Sequence, residues 1–374
     1  MMRFRVWSKA ITVLLGLIFL LTGCWGNLPV NNRILVLAMG IDPAKSPNQF
    51  TVTFQSPTPS AVTNSSQGSS SGSGGQSAVF AVKGTGQSLE AAFNQAQAKV
   101  SKDLYLGQLQ LLVISNQLKP TLLKRAVTSL QSIGTLDKTP YIVVANESAF
   151  KMLQQTSPQA KFPSLYFISL FGCMSCQTDA LGMRFWQYLV RIDTRGVDPY
   201  IPVALPFSQG YRVDRIALYR GYHYVTMLDP TQTTTFGILQ GLAHKVSLYL
   251  PKFQATVAFL TGPSRLTTQV VNGQVHATFN VHLTAMLMGL DSHSETTQKI
   301  SEISQMASDT LAKRCVALVR QLQHQDVDPL GIGRMLSWQH PDTFSHYAHW
   351  HQEYPKVHVI VHCVVKITDV GTTK

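Results

Sequence analysis

Residues 109–130 read LQLLVISNQLKPTLLKRAVTSL, and this stretch decides the fold. Its first seven residues, Leu109–Ser115, are a short apolar run of the kind that predicts a buried strand. After a polar break, Leu122, Leu123, Ala126, Val127 and Leu130 recur at three- and four-residue steps, the spacing of one helix face. The same alternation extends both ways. Upstream, Ser88 is placed to cap a helix with Glu90 in its first turn, and Leu89, Phe93, Ala96, Val100 and Leu104 follow on one face. Downstream, Tyr141–Ala145 reads as a strand and Glu147–Gln155 as a helix. Strands and helices alternating over short connections place helices on a sheet.

Further upstream, Ile34–Ile41 (ILVLAMGI) predicts one buried strand, and Phe50–Gln55 alternates as its hairpin partner across the turn residues Asp42-Pro43 to Pro47-Asn48. Ser56–Ser77 is dominated by Ser, Gly, Thr, Pro and Gln, a composition that buries too little to offset its ordering entropy, and a flexible loop is expected over 56–77. Ala78–Lys83 resumes as strand. Ser157–Gly210 is less regular and carries Pro158, Pro163, Pro199, Pro202 and Pro206, which puts a domain border near Pro206–Gly210.

Beyond that border, Val213–Tyr219 and Tyr222–Leu228 flank Arg220-Gly221 as a hairpin, and Phe253–Leu260, Arg265–Val271 and Gln274–Met288 continue the strand pattern. Asn272-Gly273 is a strong turn signal, because a type I′ turn needs positive φ at both central residues. A long helix is expected from about Lys299 to Gln323, and Val357–Ile367 alternates strictly as a closing strand. The expected class is α+β, with two to three globular domains, each a mixed or antiparallel sheet with packed helices. An N-terminal domain is expected over 24–208 and a C-terminal one over 209–370, with a subdivision near 290 left open.

The N-terminus sets the compartment. Met1–Lys9 carries Arg3, Arg5 and Lys9 and no acid, and Ala10–Leu21 is apolar except for Thr12 and Gly16. At ~1.5 Å per residue this run reaches about 18 Å, short of the ~30 Å a spanning helix must cross, so residues 1–23 read as a cleaved signal peptide. Leu21-Thr22-Gly23-Cys24 then resembles the bacterial lipobox. Leu21, Thr22 and Gly23 are the expected signal-peptidase recognition residues, and the Cys24 thiol is the expected site of diacylglycerol attachment. Two acyl chains anchor stably where one does not, at ~0.8 kcal/mol per buried CH₂. The expected location is the outer face of a membrane, lipid-anchored.

Charge narrows the partners. The formal net charge is +12, and without the three N-terminal cations it is +9. Such an excess suits nucleic acid, an anionic membrane or an acidic wall polymer. No dense Lys/Arg block and no basic run interleaved with aromatics occurs, so nucleic acid is not expected as a partner.

Taken in order, several stretches resemble the Ger(x)C family, the C subunits of bacterial spore germinant receptors. They are Cys24-Trp25 with Asn31-Asn32 and the run ending Gly40-Ile41-Asp42, then Gly86-Gln87-Ser88-Leu89-Glu90-Ala91 leading to Leu104–Ser115. Arg215–Gly241 follows, and last the long helix with Asp326–Gly331, Trp338, Trp350 and a final strand ending near Gly371. Gly26 stands where the family usually has an acid. The resemblance implies a non-enzymatic lipoprotein on the outer surface of the inner spore membrane, built of α+β domains. It implies association with two integral-membrane receptor subunits, of A and B type. The alternative is a lipid-anchored solute-binding protein of a transporter, which would show two similar lobes.

Chemistry-bearing motifs are sparse. Cys173-Met174-Ser175-Cys176 has redox or half-zinc spacing but no second CxxC, so a local disulfide or free thiols are expected. Cys315 and Cys363 sit on apolar faces as small buried thiols. His340, His346, His349, His351, His358 and His362 enrich the C-terminal end; His346 and His349 are placed to share a helix face. His358 and His362 are about 13 Å apart along one strand and cannot chelate one ion together. Asp326-Val327-Asp328 reads as a helix-start turn before Pro329. There is no GxSxG, Walker loop or HExxH, and no enzyme activity, metal or cofactor is expected. The ligand-binding residues are not legible.

Overall fold

The computed structural model describes Trp7 and residues 30–58, 79–155, 157–173, 180–208, 210–242, 246–288 and 297–371. The chain runs through β1 (Arg33–Leu35), β2 (Ala38–Pro43), β3 (Phe50–Pro57), β4 (Val79–Gly86), α1 (Leu89–Gln97), β5 (Asp103–Tyr105), β6 (Leu111–Ser115) and α2 (Pro120–Ser132). It continues through β7 (Tyr141–Ala145), α3 (Ala149–Gln154), α4 (Pro163–Gly172), α5 (Phe185–Asp193), β8 (Tyr200–Phe207), β9 (Gly210–Arg220), β10 (His223–Leu228) and α6 (Pro230–Leu239). The last part holds β11 (Val246–Leu250), β12 (Ala255–Thr261), β13 (Ser264–Val271), β14 (Gln274–Met288), α7 (Thr297–His324), α8 (Ile332–Gln339), α9 (Pro341–Ser345), α10 (Trp350–Glu353) and β15 (His358–Gly371). This is a mixed α and β protein with several sheets, as the sequence pattern predicts.

The first large sheet has eight strands in the order β10-β9-β8-β7-β6-β2-β3-β4. Its centre, β8-β7-β6-β2, is parallel, and both ends are antiparallel. All five residues of β6 and of β7 are buried, because helices cover both faces. Leu112 and Ile114 join the core shared with Leu123, Ala126 and Leu130 of α2. Leu111 and Val113 turn the other way, to Ala149 and Leu153 of α3 and Tyr166 and Phe167 of α4. Each large apolar side chain so buried contributes roughly 1.5–3 kcal/mol.

Two elements differ from the expected ones. The expected strand over Ile34–Ile41 is two strands in different sheets: the Val36 N–H donates to the Tyr105 carbonyl at 3.0 Å and the Leu37 N–H to that of Gln55 at 2.9 Å, so the chain changes partners there. The first helix stops at Gln97, short of Val100 and Leu104. There the Gln97 amide donates to the Lys102 carbonyl and its Oε1 accepts the Leu104 N–H, both at 2.9 Å, folding the chain into β5. The expected border at 208/209 falls between β8 and β9, which pair antiparallel from Tyr200 with Leu218 to Phe207 with Gly210, so the sheet is built from both sides of it. Of the loop expected over 56–77, Ser56 and Pro57 belong to β3 and the stretch beyond Thr58 lies outside the described residues.

The second sheet has the order β11-β12-β14-β13, with β15 added parallel to β14 from His276 beside His358. The turn expected at Asn272-Gly273 joins β13 to β14 with φ of 51° and 78°. The 28 residues of α7 lie against this sheet, with Ile303, Ala307, Leu311, Cys315, Leu318 and Leu322 buried on one face. Midway along β15, Ser308 Oγ accepts the Val365 N–H at 3.0 Å, and just before its start the Gln323 amide donates to the Val357 carbonyl at 2.8 Å. Among the described residues, no helix is long and apolar enough to cross a membrane.

Candidate functional site

The densest polar chemistry lies where the two large sheets meet, on segments more than a hundred residues apart in sequence. Asp198 leaves α5 for β8, and Asp328 leaves α7 for α8; both are buried. The two bind each other: the Asp198 N–H donates to the Asp328 carbonyl at 2.8 Å, and the Asp328 N–H donates to the Asp198 side-chain Oδ2 at 2.7 Å. Asp328 Oδ1 accepts the N–H groups of Gly331 and Ile332 at 2.8 and 3.1 Å. Its Oδ2 accepts the Gly333 N–H and the indole Nε1–H of Trp350, both at 2.9 Å. A carboxylate that receives the orphan N–H groups of a helix start acts as its cap. The helix-start role expected for this turn is therefore correct in kind, but α8 begins at Ile332 rather than at Pro329.

Arg191 of α5 is buried and joins the parts. Its Nη1 donates to the carbonyls of Asp198 and Pro329 at 3.1 and 2.8 Å, and its Nη2 to Gln240 Oε1 at 3.2 Å. Gln240 in turn donates to the Leu330 carbonyl at 3.1 Å. The backbones also touch: the Arg334 N–H donates to the Gly196 carbonyl at 2.7 Å, and a Cβ on Gly196 would lie 2.6 Å from Arg334 N and against the Gly333 carbonyl carbon. On the outer side, His351 Nε2 meets both oxygens of Asp198 at 3.1 and 2.9 Å.

Electrostatics follow the burial. Desolvation pushes the Asp328 carboxyl up to about 6, against the pull of the Gly333 and Ile332 N–H groups and the Trp350 indole. The hydrogen bond to Asp198 raises the His351 imidazole above its ordinary value, against partial desolvation. Burial raises the Tyr354 phenol well above its ordinary value, and among the described residues its hydroxyl has no hydrogen-bond partner. Among the described residues, no group of three or more His, Cys, Asp or Glu could hold a metal ion. The four donors to Asp328 lie within its own segment, and the buried seam is closed like a clasp by Asp198, which binds the Asp328 backbone and His351, by Arg191 on the Pro329 carbonyl and by the Gly196 carbonyl on the Arg334 N–H.

The residues singled out from sequence fall elsewhere. Leu21, Thr22, Gly23 and Cys24 lie outside the described residues, as does Cys176, while Cys173 is disulfide-bonded. Cys315 and Cys363 are free thiols that burial pushes up to about 12 and about 11. His346 and His349 do not share a helix: His346 follows α9, with Nδ1 2.6 Å from the Asp342 carbonyl, and His349 precedes α10. His340 Nε2 lies 3.0 Å from the Thr268 carbonyl. A separate cleft of about 500 Å³ opens between α1, α2 and β5, walled by Phe54, Phe93, Leu104 and Ile133. Sequence reasoning missed Asp198 and Arg191 altogether.

Fold and clasp define an α and β protein with two large sheets, whose halves are tied by a buried carboxylate network. Residues 27–204 match the family described as spore germination protein N-terminal domain, and residues 214–371 the one described as spore germination B3/GerAC like, C-terminal. The chain belongs to the Ger(x)C family of spore germination proteins, a family of germinant-receptor subunits and not a known family of enzymes. It is 20% identical to spore germination protein GerQC of Bacillus cereus over 309 residues, 80% of this chain and 85% of that one. It is 22% identical to the putative spore germination protein YfkR of Bacillus subtilis strain 168 over 331 residues, 84% of this chain and 83% of that one. The crystal structure of the GerBC protein shares the fold at a TM-score of 0.57 and 14% identity, covering 90% of this chain and 99% of that one. The clasp joins the two matched regions, with Arg191, Gly196 and Asp198 in the first and Asp328, Trp350 and His351 in the second.

Proposed function

We propose that this chain is a non-enzymatic subunit of a spore nutrient germinant receptor. It is held by a lipid on Cys24 at the outer face of the inner spore membrane, and it acts in assembly or signalling with two integral-membrane subunits of A and B type. The observation that carries this reading is the pair of family matches, in order, over residues 27–204 and 214–371. The basic start, the apolar Ala10–Leu21 run and Leu21-Thr22-Gly23-Cys24 support the anchor. The transporter-type alternative loses support from the architecture, because an eight-stranded mixed sheet and a five-stranded sheet are not two similar lobes.

Replacing Cys24 with Ala tests the proposal directly. The expected result is loss of the protein from the membrane fraction and a weakened or absent spore response to nutrients. Mass spectrometry that finds the wild-type mature chain with an unmodified Cys24 would refute the anchor, and an unaltered nutrient response in a gene deletion would refute the receptor role.

A further inference from the structure

The second sheet keeps α7 and α8 on one face and leaves the other exposed. On that outer face, paired positions form rows across β13, β14 and β15. Gln269, His276 and His358 make one row; Thr267, Thr278 and Ile360 the next; Arg265, Asn280 and His362 the one after; then His282 beside Val364, and Thr284 beside Lys366. The rings of His276 and His358 lie 5.0 Å apart. From His276 to Thr284 the patch is about 26 Å long. Arg265, His282, His358, His362 and Lys366 are all exposed. Ile360 and Val364 interleave with the cationic positions along β15 and are 36% and 50% exposed. Among the described residues of these strands the face holds one carboxylate, Asp369, at its far end beside Met286. Tyr249 of β11 and Met288 add exposed apolar surface, at 57% and 48%.

We propose that this outer face binds anionic phospholipid headgroups through His276, His282, His358, His362, Arg265 and Lys366, with Ile360 and Val364 entering the headgroup layer. Charge complementarity argues for this occupant: cations and single apolar side chains alternate along β15 on an open face, which is the chemistry of interfacial binding. Only two of the six carry fixed charge; histidine gains its charge between pH 8 and 5, so the affinity rises as pH falls. Asp369 opposes this at one end of the patch. The proposal rests on the anchored reading only for bringing a membrane within reach.

The test uses the mature chain with Cys24→Ser, which carries no lipid, and sedimentation with phosphatidylcholine vesicles with or without phosphatidylglycerol. Each added positive charge near an anionic surface strengthens binding, so the partition coefficient on phosphatidylglycerol vesicles is expected to rise about tenfold or more from about pH 7.5 to about pH 5.5. The variant H276N/H282N/H358N/H362N is expected to lose that rise, and R265Q/K366Q to bind less at both pH values, with unchanged circular dichroism. Equal partition onto uncharged vesicles, no binding at either pH, or an undiminished rise in the histidine variant overturns the proposal. Affinity for an acidic polypeptide in place of vesicles overturns it in favour of a protein partner. The lipid on Cys24 is absent throughout, so failure here leaves the anchor reading to its own test.

Discussion

Gly196→Ala is the sharpest probe of the seam between the two sheets. Gly196 holds φ of +78°, and a Cβ there would sit 2.6 Å from Arg334 N, against backbone that cannot rotate away. The left-handed conformation alone costs an L-residue about 1–2 kcal/mol. Forcing the α8 backbone outward adds about 1–3 kcal/mol of overpacking, and stretching the 2.7 Å bond from the Arg334 N–H to the Gly196 carbonyl adds to that. The expected loss is therefore about 2–5 kcal/mol in urea unfolding. Gly221→Ala separates the terms, because Gly221 holds φ of +59° with nothing among the described residues within 4 Å of its Cβ position. It is expected to lose only about 1–2 kcal/mol. Equal losses at the two positions would show that the halves do not meet backbone to backbone, and the clasp reasoning would fail with it.

Other consequences of the clasp can be measured as well. Trp350→Phe removes the indole donor from Asp328 Oδ2 and is expected to cost about 1.5–3 kcal/mol, whereas Tyr354→Phe removes a buried hydroxyl without a partner and is expected to be neutral or stabilising; the reverse order of effects in thermal melts would contradict the network. His351 has a raised pKa in the fold, so its stabilisation is fully present below its unfolded value of about 6.5 and is lost as pH rises through the folded value. Relative to wild type, His351→Asn is therefore expected to be less stable at acid pH, with the gap closing above that range. A gap independent of pH would mean that the Asp198 contact contributes nothing through charge.

What the sequence disclosed depended on how strongly each segment was buried. β6 and β7 lie between two helical layers, so their unbroken apolar runs left little choice of conformation. Asn272-Gly273 was legible because only a few residue pairs tolerate its two positive φ angles. The helix α5 was not, because it buries Arg191 beside Phe185 and Tyr188 while Trp186 and Val190 stand 47% and 46% exposed, which blurs the apolar stripe. The clasp escaped for a related reason. Asp328 announced a local turn, with Gly331 and Gly333 leaving their N–H groups open to it. Its partner Asp198, however, stands 130 positions away, and no periodicity links the two. The break between β1 and β2 was hidden as well, since a strand that changes sheets keeps the same apolar letters.

The pairing of β8 with β9 bears on how such chains can be inherited. The first matched region ends at residue 204 and the second begins at residue 214, which invites the view that each half could be traded between relatives. The ladder from Tyr200 and Leu218 to Phe207 and Gly210 straddles that join. A hybrid gene crossed over there sets one parent's strand against the other's and leaves the bulge between Val203 and Leu205 without its matching register. The two regions are therefore expected to descend together, with recombination tolerated at the turns outside the ladder and selected against within it.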